Sequence, residues 1–167
     1  MVQVGDQVVY GIHGVCNVVE EEKRVVDKKQ VTYLVLEPLC QSGSRYLVPT
    51  HNAAAMAKLS PMLSRMDMEQ LLSSPEIRQD SWIKDENHRK QTYRELISSG
   101  NRKKLMSMVY TLYQHKSSQT AAGRKCHLCD ENFLRDAEKL LASELAVVME
   151  VTQEEARQYL RRQLKAE

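Results

Sequence analysis

The first sixty residues read in period two, between turn-like breaks. "DQVVYG" leads into the turn-like "IHG" and then "VCNVVEEEKRV"; "DKK" is a hairpin signal ahead of "QVTYLVLEPL"; "QSGS" is a further turn before "RYLVP". β-Branched and aromatic residues between Gly-, Asp- and Ser-bearing breaks are a strand signal. Four or five short strands with tight turns predict a small, twisted antiparallel barrel. Pro49 has no N–H for a sheet ladder and is expected to end a strand. "HNAAAMA" after it reads as a short helical turn.

The period then changes to 3.6. "MDMEQLLSS" reads as a short helix stopped by Ser74-Pro75. A second helix is predicted from about Ser81 to Ser98, with Gly100 as its stop. A third carries Leu105, Met108, Val109, Leu112 and Tyr113 on one face. A fourth carries Phe133, Ala137, Leu140, Leu141, Leu145 and Val148. A fifth starts at "TQEE", where Thr152 and Glu155 fit a capping box, and carries Ala156, Tyr159, Leu160 and Leu164. The pattern is α+β: a β domain over 1–62, a linker with a short helix over 63–76, and a helical domain over 77–167.

Charge sharpens this division. The net charge of the 167 residues is only +2. From Arg78 to Lys125, however, eleven Lys and Arg face four Asp and Glu, a local net of +7. From Cys126 onward six basic residues face nine acidic ones, a net of −3. A basic middle points to a localised anion contact such as nucleic acid, or to a solvated helical surface. No apolar run is long enough to span a membrane, and the start lacks a basic-then-apolar signal segment. A cytoplasmic protein with four reduced cysteines is expected.

Catalytic patterns are absent. There is no Gly-rich phosphate loop, no Gly-x-Ser-x-Gly and no His-Glu-x-x-His. His13, His51, His88, His115 and His127 have no nucleophile or carboxylate partner at helical spacing. Cys126 and Cys129 form a Cys-x-x-Cys around His127, but zinc needs four ligands, and Cys16 and Cys40 stand alone in apparent strands. Neither a metal nor another cofactor is expected. Cys129 is predicted just ahead of the fourth helix, where a helix dipole favours a thiolate, so a redox role stays open.

"SSGNRKKL" puts Arg102, Lys103 and Lys104 in the first turn of the third helix. Helix electrostatics favour acids there, and a docked phosphate would offset the mismatch. Lys84, Arg89, Lys90 and Arg94 on the preceding helix would extend that patch, as would Lys116, Arg124 and Lys125. Trp82, the only tryptophan, has two readings. Inside a helix it shares the face of Tyr93 and is core; at the helix start it projects beside Lys84 and can wedge between bases.

"VGDQVVYGIHGVCNVVEEEKR", "YLVLEPL" and "YLVPTHNA", with "GNRKKLMSMVYTLYQHK" and "DENFLRDAEKLLASELAVVM" later, resemble the CarD family of bacterial transcription regulators. The beginning is also similar to the polymerase-binding module of transcription-repair coupling factors. The resemblance implies a Tudor-like antiparallel β-barrel domain that binds the RNA polymerase β subunit. It also implies a helical domain on promoter DNA at the upstream edge of the bubble, where a Trp wedges into the minor groove. Trp82 is the candidate for that role, although its span to Ser99-Gly100 is about one helical turn longer than in actinobacterial members. Arg24 falls where the family carries a polymerase-contacting Arg. Leu47 stands where a second Arg is expected, and Arg45, on the same strand face, is its substitute.

The expectation is therefore a non-enzymatic, monomeric regulator that stabilises the open complex. Arg24, Arg45, Leu47, Val48 and Pro49 would meet the polymerase. Trp82, Lys84, Arg89, Lys90, Arg94, Arg102, Lys103 and Lys104 would meet DNA, mainly through phosphates and the minor groove. The alternatives are a protein-interaction module with Trp82 buried, and a thiol- or metal-responsive regulator using Cys126 and Cys129.

Overall fold

Strand alternation puts Val8, Cys16, Val18, Leu34, Leu36 and Val48 on one side of a sheet, while Val9, Val15 and Val35, also buried, lie on the other. In the computed structural model, which describes residues 1–79 and 81–165, five antiparallel strands run β1 (Gln7–Tyr10), β2 (Val15–Val26), β3 (Lys29–Pro38), β4 (Tyr46–Pro49) and β5 (Leu59–Pro61). Their order across the sheet is β4-β3-β2-β1-β5. Val8, Cys16, Val18, Leu34, Leu36, Val48 and Leu59 form the core of this unit. Helix α1 (Ala53–Met56) follows β4, capped by Asn52, whose Oδ1 accepts from the Ala55 N–H at 3.1 Å. The strand expected to stop at Pro49 does so.

Two details of β2 and β3 shape the unit. Asp27 and Lys28 join them with φ of 50° and 64°, the doubly left-handed turn that suits the twist of a hairpin. Between Val18 and Glu20 the register slips: Val18 pairs with Leu36, but Glu20 pairs with the very next residue, Val35. This bulge reverses the facing of β2. Cys16 and Val18 point into the core, while Glu20, Glu22 and Arg24 point to the opposite, outer face.

The helical unit starts at Leu63 and is compact in its own right, as is the segment Met1–Met62. It contains α2 (Arg65–Ser73), a 3-10 turn (Pro75–Arg78), α3 (Glu86–Ser99), α4 (Arg102–Ala121), α5 (Leu128–Met149) and α6 (Gln153–Lys165). Met68 and Leu72 of α2 and Ile77 of the 3-10 turn are buried with Tyr93, Leu105, Met108, Val109, Leu112, Leu141, Leu145 and Leu160. Residues 63–76 are thus built into the helical core. The capping box of α6 is formed: Glu155 N–H donates to Thr152 Oγ1 at 3.1 Å, and Thr152 N–H donates to Glu155 Oε2 at 2.9 Å. No helix among the described residues is long and apolar enough to cross a membrane.

The second predicted helix starts later than expected. α3 begins at Glu86, with Asp85 as its N-cap accepting from the His88 N–H at 2.7 Å. An Asp side chain that satisfies an orphan N–H fixes the start, so Trp82 lies in the segment ahead of the helix. The phase relation expected between Trp82 and Tyr93 does not apply.

Candidate functional site

The outer face of the sheet places three expected residues together. Register aligns Leu47, Val35 and Glu20 in one row across β4, β3 and β2, and Pro49, Tyr33 and Glu22 in the next; Arg24 pairs with Val31 beyond them. Arg45 joins this face, its guanidinium 2.9 Å from Glu37 and 3.6 Å from Glu20. Arg24 Nε donates to Glu22 Oε1 at 2.5 Å. That hydrogen bond, with the charges of Arg24 and Arg45, holds the Glu22 carboxyl below its usual range. The face is an apolar strip flanked by exposed charge, at the end of the sheet where β4 is the last strand. Val48 does not belong to it. Its side chain is fully buried in the core, because it is one residue out of phase with Leu47, so only its backbone is at the edge.

Trp82 is half-buried and its surroundings are built. His115 of α4 stacks on the indole with ring centroids 3.5 Å apart and planes 8° from parallel. The Arg89 guanidinium lies 4.4 Å from the ring centroid. The backbone is held on both sides: Ser81 N–H donates to Thr111 Oγ1 at 3.3 Å, and Arg89 Nη1 donates to the Ile83 carbonyl at 3.0 Å. Arg89 is itself buried and makes a bidentate ion pair with buried Asp130 of α5. It is therefore not a surface cation, and its expected part in a phosphate patch is corrected: its charge is spent inside.

The first turn of α4 divides its three cations. Arg102 forks onto the carboxylate of buried Glu144, with Nε–Oε2 at 2.8 Å and Nη2–Oε1 at 3.0 Å. Glu144 Oε1 also accepts from the Leu63 N–H at 3.0 Å. The mismatch with the helix dipole is thus met at Arg102 by an internal acid. Lys103 pairs with Glu76 of the 3-10 turn. Lys104 is exposed, as are Lys84 and Arg94, and none of these three forms an ion pair with a described residue. Lys90 pairs with Glu86 one turn earlier at 2.8 Å, and Arg94 follows it along the same flank of α3.

The cysteine motif lies on this unit too. Cys129 sits in the first turn of α5 and not ahead of it, since His127 is the N-cap residue. Among the described residues, no three His, Cys, Asp or Glu side chains are grouped to hold a metal ion. Burial, with Glu131 beside it, pushes the Cys126 thiol up.

Sequence reasoning missed Asp130 and His115, which seat the Arg89 and Trp82 side chains, and Thr111, which holds the Ser81 backbone. His115 carried the one available signal, its position three residues after Leu112 on a helix that must pack.

Two family models match the chain. One, described as CarD-like/TRCF RID domain, covers residues 2–60; the other, described as CarD, C-terminal domain, covers residues 67–161. No curated protein matches.

Proposed function

The chain belongs to the CarD family of RNA polymerase-interacting transcription regulators, and from that premise we propose that it bridges polymerase and promoter DNA and stabilises the open complex. The observation that carries the reading is the correspondence of the two matched models with the two compact units, 2–60 with the sheet and 67–161 with the helices. The β unit grips the polymerase β subunit through the end strand β4 and the outer face bearing Arg24, Arg45, Leu47 and Pro49. Strand addition at such an edge supplies backbone affinity, and the side-chain rows supply selectivity. No catalytic step is involved.

The helical unit leans on DNA at the upstream edge of the bubble. Exposed Lys84, Arg94 and Lys104, with Lys90 and Lys103, neutralise phosphates, and Trp82 meets a base step in the minor groove. With His115 stacked on the ring, Trp82 acts as a pre-set wedge; its own support already stiffens it, which lowers the ordering cost on contact. Binding that favours the melted promoter over the closed one shifts the population toward the open state, tenfold for about 1.4 kcal/mol. Isolated DNA binding is weak and salt-sensitive.

The test is open-complex lifetime with bacterial RNA polymerase, comparing the full chain with Trp82→Ala and with Arg24→Ala/Leu47→Ala. The first variant is expected to keep polymerase binding and shorten the lifetime; the second is expected to lose both. Equal lifetimes for wild type and Trp82→Ala would remove the wedge and leave a protein-interaction module in its place.

A further inference from the structure

The start of α5 carries a chemistry that the bridging role does not use. Cys126 and Cys129 are both free and both partly exposed. Cys126 lines a small cavity with His115 and Asp130, the residues that stack on Trp82 and hold Arg89. Cys129 is the neighbour of Asp130 in the chain, and its Sγ lies 4.0 Å from Glu86 Oε1 at the start of α3. The two thiols thus adjoin both supports of the indole.

We propose that Cys126 and Cys129 are a modification site, closing into a reversible disulfide by exchange with a small disulfide and thereby unseating Trp82. The Cys129 thiolate attacks one sulfur of the small disulfide; that S–S bond breaks, and the expelled half leaves as a thiolate that takes up a proton. Cys126, whose thiol is held protonated longer by burial, gives its proton to solvent and attacks the Cys129 sulfur of the mixed disulfide. The second half leaves. The protein pair has lost two electrons and two protons, and the small disulfide has become two thiols.

Geometry couples this bond to the tryptophan. Three residues apart in a helical turn, two cysteines fall within the Cα separation that a disulfide spans, about 4.4–6.8 Å. His127 between them is extended, with φ −64° and ψ 139°, which opens that span. Closure needs His127 to turn toward the helix and draw residue 126 in. The chain before it has the slack, since 124–127 carry no helix or strand. Asp130, one residue after Cys129, moves with the rewound turn, and with it the carboxylate that fixes Arg89 beneath the indole. Any effect on transcription rests on the role proposed above for Trp82; the bond itself does not.

The experiment uses the full chain with glutathione disulfide, followed by digestion with trypsin without reductant. Cleavage after Lys125 and Arg135 leaves both cysteines in one peptide. That peptide is expected to be lighter by two hydrogens, with the Trp82 emission shifted to the red and restored by dithiothreitol. Cys126→Ser is expected to trap glutathione on Cys129, and Cys126→Ser/Cys129→Ser to show no emission change. A peptide that stays reduced or carries only glutathione adducts overturns the proposal, as does a closed disulfide with unchanged Trp82 emission. These readouts use neither polymerase nor DNA, so their failure is separate from failure of the bridging role.

Discussion

Arg89 and Asp130, forty-one residues apart, meet in a two-pronged ion pair with Nε–Oδ1 at 2.8 Å and Nη2–Oδ2 at 3.1 Å, each side chain only 3% exposed. The same guanidinium faces the Trp82 ring. One buried charge thus joins α3 to α5 and fixes the tryptophan ahead of α3. Asp130→Asn would leave that charge uncompensated, and breaking such a pair costs about 3–5 kcal/mol. Urea unfolding is expected to show a loss of that size, with Trp82 emission already red-shifted before the transition.

Glu144 and Lys104 separate the structural from the exposed charges of the α4 start. Glu144→Gln removes the acid that Arg102 and the Leu63 N–H share and is expected to cost about 3 kcal/mol. Lys104→Gln is expected to change stability by no more than about 0.5 kcal/mol, while lowering the salt slope of DNA binding by about 1. Unfolding curves and a salt titration check the two.

Tyr113 gives a pH signature. Its hydroxyl donates to Glu138, which also takes two hydrogen bonds from Arg161. Burial, then that hydrogen bond, raises its pKa. A raised folded-state pKa means stability that is whole below the unfolded value, about 10, and falls as pH rises past it. Wild type is expected to lose stability from pH 9 to 11 more steeply than Tyr113→Phe. Parallel curves in chemical denaturation would show that Tyr113 ionises alike in both states.

Leu47 and Val48, adjacent in β4, are expected to respond oppositely. Leu47→Ala alters the outer face, with a small change in melting temperature and a loss of polymerase affinity. Val48→Ala opens a cavity in the sheet core, and lowers the melting temperature before any partner is added. Thermal melts and a pull-down with the polymerase β lobe distinguish them.

His115→Ala removes the ring stacked on Trp82. Aromatic stacking contributes about 0.5–1.5 kcal/mol beyond area burial, and a stability loss in that range is expected with a red shift of Trp82 emission. Fluorescence-detected unfolding reads both at once.

Much of the fold was legible because it follows from local periodicity. The face of α4 predicted from Leu105, Met108, Val109, Leu112 and Tyr113 is buried throughout, and the Thr152–Glu155 box forms as its spacing requires. Phe133, Leu140 and Val148 are only half-buried, whereas residues 141–146 of α5 are buried all round, Ser143 and Glu144 included. The site was less legible. Arg89 and Arg102 look like their exposed neighbours in sequence, and nothing local says that Asp130 and Glu144 are waiting for them. Basic composition located the cationic stretch; tertiary packing decided which of its charges reach water. α3 starts later than its pattern predicts because Asp85, one of a run of polar residues, caps it.

The added residue between Val18 and Glu20 works as a parity switch. A strand has two sides only, so a regular ladder that took in Val19 would exchange everything downstream. Paired that way, with Glu20 opposite Leu34, Glu20, Glu22 and Arg24 would turn to the side of Cys16 and Val18, and Glu21, Lys23 and Val25 would take their place. Val19 is therefore the residue this arm can lose: its deletion would leave Glu20 opposite Val35, remove only the local bend, and keep the same side chains on the outer face.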